Sequence, residues 1–307
     1  MKNRIFYGFM AAVFALTLAF AVRIAVAQDD MEVPDKKGSE AATDTNPFVR
    51  KKVYVPVTTG PTDLNLVAVG TIKEIIKTTL VRFEDGKVYS LINVRIPVVY
   101  DGKALEYMKE TFIGKKVGVY QRDFPGVMQN DKYGNIAGHL VTDENVWIQA
   151  DLVLKGLAWV DSTPRNRDLV RKMYQYETIA RNSRKGFWAA PAFAVKNSKT
   201  VLDKTINSFQ VVEDVVKGAK VVKDMFYFNY GDNPATDFTF IMEQTLGNSF
   251  LDDQNYAFSP WRWANHRLRV RGWVKDNSGP MIEITHPEQI EFVGVEKDMH
   301  YTPPKKK

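Results

Sequence analysis

Residues 131–188 read DKYGNIAGHLVTDENVWIQADLVLKGLAWVDSTPRNRDLVRKMYQYETIARNSRKGFW. Tyr133-Gly134-Asn135 is a turn signal, because Gly and Asn tolerate positive φ. Ile136, Gly138 and Leu140 then alternate with Ala137, His139 and Val141, the period of a strand. From Val146 to Leu157, apolar residues recur at Val146, Ala150, Val153, Leu154 and Leu157. That spacing is helical, and Gly156 stands near its end. A second helix is predicted from about Arg167 to Arg184. Its apolar stripe is Leu169, Val170, Met173, Tyr176, Ile179 and Ala180, and its outer face is basic. Tyr133, Leu154, Leu157, Tyr176, Ile179 and Trp188 are expected in one core.

The order and wording of these pieces resemble the staphylococcal-nuclease (thermonuclease-like) family. The matching residues are Lys132-Tyr133-Gly134, Val153, Gly156-Leu157-Ala158-Trp159-Val160, Glu177, Ala180-Arg181 and Gly186-Phe187-Trp188. The resemblance extends weakly back to about Lys52.

Lys2 and Arg4 precede an apolar run from Ile5 to Val22, followed by Ala25-Val26-Ala27 and the polar Gln28-Asp29-Asp30. A basic start, an apolar centre and an A-x-A site make residues 1–27 a secretory signal peptide. The protein is then expected to be periplasmic or secreted, with no stable membrane insertion once the signal is cleaved. The rival expectation is an uncleaved N-terminal anchor, because the apolar run nearly spans a bilayer. Residues 28–50 are polar and read as a disordered linker. The 307 residues contain no cysteine, which excludes disulfides and thiolate metal sites. There are 42 Lys and Arg against 36 Asp and Glu, and three of the former lie in the signal, so the remainder is only mildly basic.

Residues 51–193 are expected to form the nuclease-like domain. Lys52–Val57, Leu64–Gly70, Thr71–Phe83, Val88–Ile96 and Lys115–Gln121 read as β segments, and Ala104–Phe112 as a short helix. Glu84-Asp85-Gly86-Lys87 is a hairpin turn. Five strands with a helix before the last ones suit an OB-type barrel. Residues 194–206 read as a linker. Residues 207–295 read as a second domain, with strand pattern in Ser208–Val222, Phe226–Asp232, Asp237–Ile241, Arg267–Val274 and Met281–Thr285. It resembles the OB-like module found behind nuclease-like domains in bacterial secreted proteins. Residues 296–307 are a basic tail. The fold class is thus mainly β with α: a nuclease-like OB-fold β-barrel with packed helices, followed by a second OB-like β-barrel.

The family resemblance implies a calcium-dependent phosphodiesterase site of two aspartates, a threonine carbonyl, a glutamate base and two arginines. Hard oxygens suit calcium, a carboxylate near the water suits base catalysis, and guanidinium forks suit phosphate. With Pro97 anchoring the register, the first arginine falls at Ser90. The second aspartate falls at Arg95, the threonine at Ile96 and the glutamate at Val98. The first aspartate falls at Thr78 and the second arginine at Asn135. No mapped position keeps its working group, so no catalytic residue and no metal or other cofactor is expected. Calcium enters only in the alternative, an endonuclease whose site is rebuilt from Glu74, Asp101 or Glu106. His139, His266, His286 and His300 lack ligand spacing, and His139 is expected to be structural.

His266–Trp273 alternates, which puts Arg267, Arg269 and Arg271 on one strand face. Trp261 and Trp263 come just before. Arginines for phosphate and aromatics for stacking are the ingredients of an OB-fold nucleic-acid surface; the alternative is a solvated outer face with the tryptophans in the core. The expected function is an exported, catalytically degenerate nuclease-family protein that binds single-stranded nucleic acid or another protein.

Overall fold

The computed structural model describes residues 60, 64–122, 129–164, 166–200, 205–233, 236–250 and 260–295. These fall in one compact unit. The signal peptide, the linker at 28–50, the segment Lys52–Val57 and the tail at 296–307 lie outside the described residues.

A closed five-stranded barrel comes first, ordered β1-β2-β3-β6-β5: β1 is Asn65–Lys77, β2 Leu80–Phe83, β3 Val88–Leu91, β5 Lys116–Gln121 and β6 Ile136–Thr142. The expected break at Gly70–Thr71 is absent. β1 runs through it, and the turn falls at Thr78-Thr79. Gly70 makes this curvature possible, since a Cβ there would lie 2.5 Å from the Phe83 ring. The register shifts along β1 bend it further, so that one strand pairs with β5 and then with β2. Gly86, at φ 83°, makes the hairpin turn between β2 and β3. The expected single strand Val88–Ile96 is divided, because Asn93 takes φ 63° and separates β3 from the short β4 (Val94–Arg95).

Helix α1 (Asp101–Phe112) buries Ala104, Met108 and Phe112, spaced four apart on one face. Helix α2 (Ile148–Leu154) follows β6, and β7 (Trp159–Val160) pairs with β4. Helix α3 (Arg167–Asn182) packs on α2 and buries Leu169, Val170, Met173 and Tyr176 in the first core. Gly156 and Gly186, both from the family motifs, meet backbone to backbone. A Cβ on Gly156 would stand 2.1 Å from the Lys185 carbonyl oxygen, and Phe187 N–H donates to Gly156 O at 2.9 Å. Of the six residues expected in one core, Leu154 and Tyr176 are buried and Leu157 and Ile179 pack against them. Trp188 belongs to a separate cluster, and Tyr133 is exposed on its turn under the Lys132 ammonium.

The second sheet comprises β8 (Phe209–Val215), β9 (Gly218–Val222), β10 (Met225–Asn229), β11 (Thr239–Glu243), β12 (His266–Asp276), β13 (Pro280–Ile284) and β14 (Ile290–Val295), with a short helix α4 (Gln244–Gly247) after β11. β8 pairs with β12 and β9 with β10. Val216 N–H donates to His266 O, and Lys217 N–H to Asn229 O. β8 and β9 are therefore one strand bent at Val216-Lys217, which closes a five-membered ring to which β14 adds a sixth edge along β12. Phe228, Phe240, Trp263, Leu268, Val270 and Ile282 fill its core. Among the described residues no helix is long and apolar enough to cross a membrane.

Candidate functional site

The barrel mouth, where the family resemblance implies a metal site, is made by the β1–β2 turn, β3, the β4 segment and the turn before β6. Thr78 is buried, and its hydroxyl donates to Asp101 Oδ1 at 2.6 Å. Ser90 is buried, with its Oγ lacking a hydrogen-bond partner. Asn135 donates through its side chain and its backbone N–H to Asp131, each at 2.9 Å, and Tyr133 N–H also donates to that carboxylate. Burial opposes the charge on Asp131, but these donors prevail and hold its pKa below the usual carboxylate range. Val98 is 90% exposed in the 3-10 turn before α1.

Arg95 decides the chemistry of this mouth. Its Nη2 lies 2.6 Å from Asp161 Oδ2, and its guanidinium lies over Phe209 and Trp273 of the second barrel, 5.1 Å from each ring centroid. A paired, stacked guanidinium offers no lone pair to a cation and repels one. The residues present therefore do not fit a calcium ion at the implied position. Glu74 is tied to Arg82 at 3.1 Å, Asp101 accepts from Thr78, and Glu106 is exposed. Among the described residues no three His, Asp or Glu side chains gather as metal ligands.

The arginine face of β12 needs correction. The alternation holds: Arg269 and Arg271 point away from Leu268, Val270 and Val274, which enter the core. That face is not solvated, however. Arg271 is 1% exposed and Arg269 9%. Arg271 meets Glu177 of α3 with two bonds of 3.0 Å, reaches Val160 O at 3.0 Å and Glu291 at 2.5 Å, and lies over the Tyr174 ring. Burial opposes its charge, but Glu177 and Glu291 outweigh that and keep it firmly protonated. Arg269 pairs with Glu213 and Glu291. A buried charge must be paired, and both cations are committed to carboxylates inside the protein. Only Arg267 keeps a half-exposed position. Trp263 is buried in the second core, and Trp261 and Trp273 are partly exposed.

Glu177 itself, 1% exposed, accepts Val160 N–H as well as Arg271. Its signal was present in the sequence, in the Glu177–Ala180–Arg181 match, without any indication of its partner. His139 is buried, accepts the Trp147 indole N–H at 3.1 Å, and is held neutral by burial, its pKa falling to about 3. His286 bridges Ser162 and Thr285.

Residues 94–190 match the family described as staphylococcal nuclease homologue. The matched span begins at β4 and ends just after the Gly186–Ala189 turn, so it includes Arg95, Val98 and Asn135. A search of curated proteins finds no match.

Proposed function

We propose that this protein is an exported, catalytically degenerate relative of the staphylococcal nucleases that binds nucleic acid without cleaving it. One observation carries the loss of catalysis. At the position where the family resemblance implies a calcium aspartate, Arg95 is ion-paired with Asp161 and lies over the rings of Phe209 and Trp273. Thr78, Ser90, Val98 and Asn135 add neither a carboxylate nor a phosphate fork. Loss of a general base alone removes about 10²–10⁴-fold in rate, and loss of charge-stabilising donors a comparable factor. Export rests on the Lys2–Ala27 segment.

Digestion of labelled single-stranded DNA, with calcium and with chelator, tests the reading. The expected result is no calcium-stimulated cleavage. Calcium-dependent cleavage that survives Arg95→Ala and vanishes on Asp101→Ala would overturn it in favour of a rebuilt endonuclease site.

A further inference from the structure

Between α3 and the second barrel lies a groove of about 960 Å³, within the size range of ligand sites. None of Thr78, Ser90, Arg95, Val98 and Asn135 lines it. Arg167 and Arg171 line it from α3, and Arg262, Phe250 and Phe292 from the second barrel's side. Arg167 and Arg171 are one turn apart, so their guanidinium groups line the same rim. Arg171 is exposed, and among the described residues it has no ion-pair partner. Arg167 donates to the Ser249 carbonyl, at 3.2 Å.

The acids do not cancel this charge. Glu291 is committed to Arg269 and Arg271. Glu288 remains, with its Oε2 buried and lacking a hydrogen-bond partner, an arrangement that suits a base amino donor better than a phosphate. Phe292 is 56% exposed and stands edge-on to the buried Trp263 at 5.4 Å, so its orientation is fixed while its surface is offered.

We propose that this groove, made jointly by α3 and the second barrel, is the seat of single-stranded nucleic acid. Arg167 and Arg171 take backbone phosphates and Phe292 stacks a base. The inference rests on the binding reading above and replaces the β12 arginine face as its location. Cationic rims that follow a backbone, beside aromatic platforms, are the general means of holding a single strand.

Fluorescence anisotropy of a labelled oligodeoxynucleotide of roughly 20 residues, titrated with full-length protein over a range of salt, is the test. Arg171→Glu is expected to weaken binding at least about tenfold and to make the dependence of log Kd on log salt shallower by about 0.7, one phosphate contact on a single strand. Phe292→Ala is expected to weaken binding about tenfold with the salt slope unchanged, since stacking releases no counterion. Lys73→Glu, on the exposed side of β1, is the control and stays within about twofold. If the wild-type protein binds and both groove variants bind equally well, the groove is refuted while the binding reading survives. If the wild-type protein binds no DNA even at low salt, both fall together.

Discussion

In the first barrel, one continuous strand serves two neighbours. The 13 residues of β1 pair with β5 through Asn65–Thr71 and with β2 through Ile72–Lys77. In the second barrel, the same two ladders are divided between β8 and β9, with the bend at Val216-Lys217. The remaining ring agrees strand for strand. β3 runs parallel to β6 as β11 does to β13, and β5 pairs with β6 as β12 does with β13. The difference lies in what covers each ring. The first inserts the 12-residue α1 between its third and fourth strands and adds α2 and α3. In the second, that interval holds the four-residue α4 and short 3-10 turns among the described residues. Among the described residues the second barrel thus has less cover of its own, and α3 packs against it. Phe209 and Val211 of β8 join Trp159, Phe187 and Trp188 in a shared apolar cluster, and Arg271 enters α3 at Glu177. Two copies of one plan are therefore not two independent modules.

Separating them at Arg271 is the strongest way to break that conclusion. Arg271→Met strands the buried Glu177 carboxylate and is expected to cost about 3–5 kcal/mol. It should also split a single wild-type thermal transition into two. Adding Glu177→Gln keeps an acceptor for Val160 N–H, removes the stranded charge and should recover much of the loss. Calorimetry that finds one unchanged transition in Arg271→Met would mean the barrels are coupled by something else.

The shared plan itself is tested inside the cores. Leu140 in β6 and Ile282 in β13 occupy the same strand of the ring, and both are fully buried. Leu140→Ala and Ile282→Ala should each cost about 2–5 kcal/mol in denaturant titrations. A cost near zero for Ile282→Ala alone would show the second ring to be loosely packed and the likeness to be one of pairing only.

A buried histidine gives the first ring a pH dependence. His139 is neutral when folded, with a pKa near 3 against 6.5 in the unfolded chain. Its contribution is intact above pH 6.5. Below that the unfolded chain takes up a proton that the native state refuses, and stability falls until the pH reaches the folded value. The loss should be about 3 kcal/mol by pH 4. His139→Gln keeps an acceptor for Trp147 and should lack this portion of the pH slope. Equal slopes for the two proteins would mean His139 is not buried neutral.

How much of this was legible in the sequence depends on distance along the chain. The hairpin at Gly86, the stripe of α3 and the alternation of β12 are local patterns, read from neighbouring residues. Which residues stand at the positions the family resemblance maps, Thr78, Ser90, Arg95, Val98 and Asn135, is also a local reading, because it needs only an aligned register. What covers the β12 face was not. Arg271 and Glu177 are 94 residues apart, and nothing in a strand's period distinguishes a solvated face from one packed under a helix of another domain. Tyr133 failed for the opposite reason. A turn that Asp131 closes by its own hydrogen bonds needs no core contact, so its aromatic ring is free to face water.

The smallest expected effect comes from the surface of the second ring. Lys275 and Glu283 lie 2.8 Å apart across β12 and β13, with side chains 61% and 42% exposed. At that exposure, water and salt screen most of the attraction, and holding two long side chains in one geometry costs entropy. Lys275→Ala should therefore change stability by no more than about 1 kcal/mol, less at high salt. The comparison makes this small number informative. If the second ring draws its stability from its own core and from α3, removing a rim charge leaves its melting transition nearly in place. A loss of about 2 kcal/mol or more, erased by salt, would show instead that the second barrel leans on surface charge where the first relies on helices.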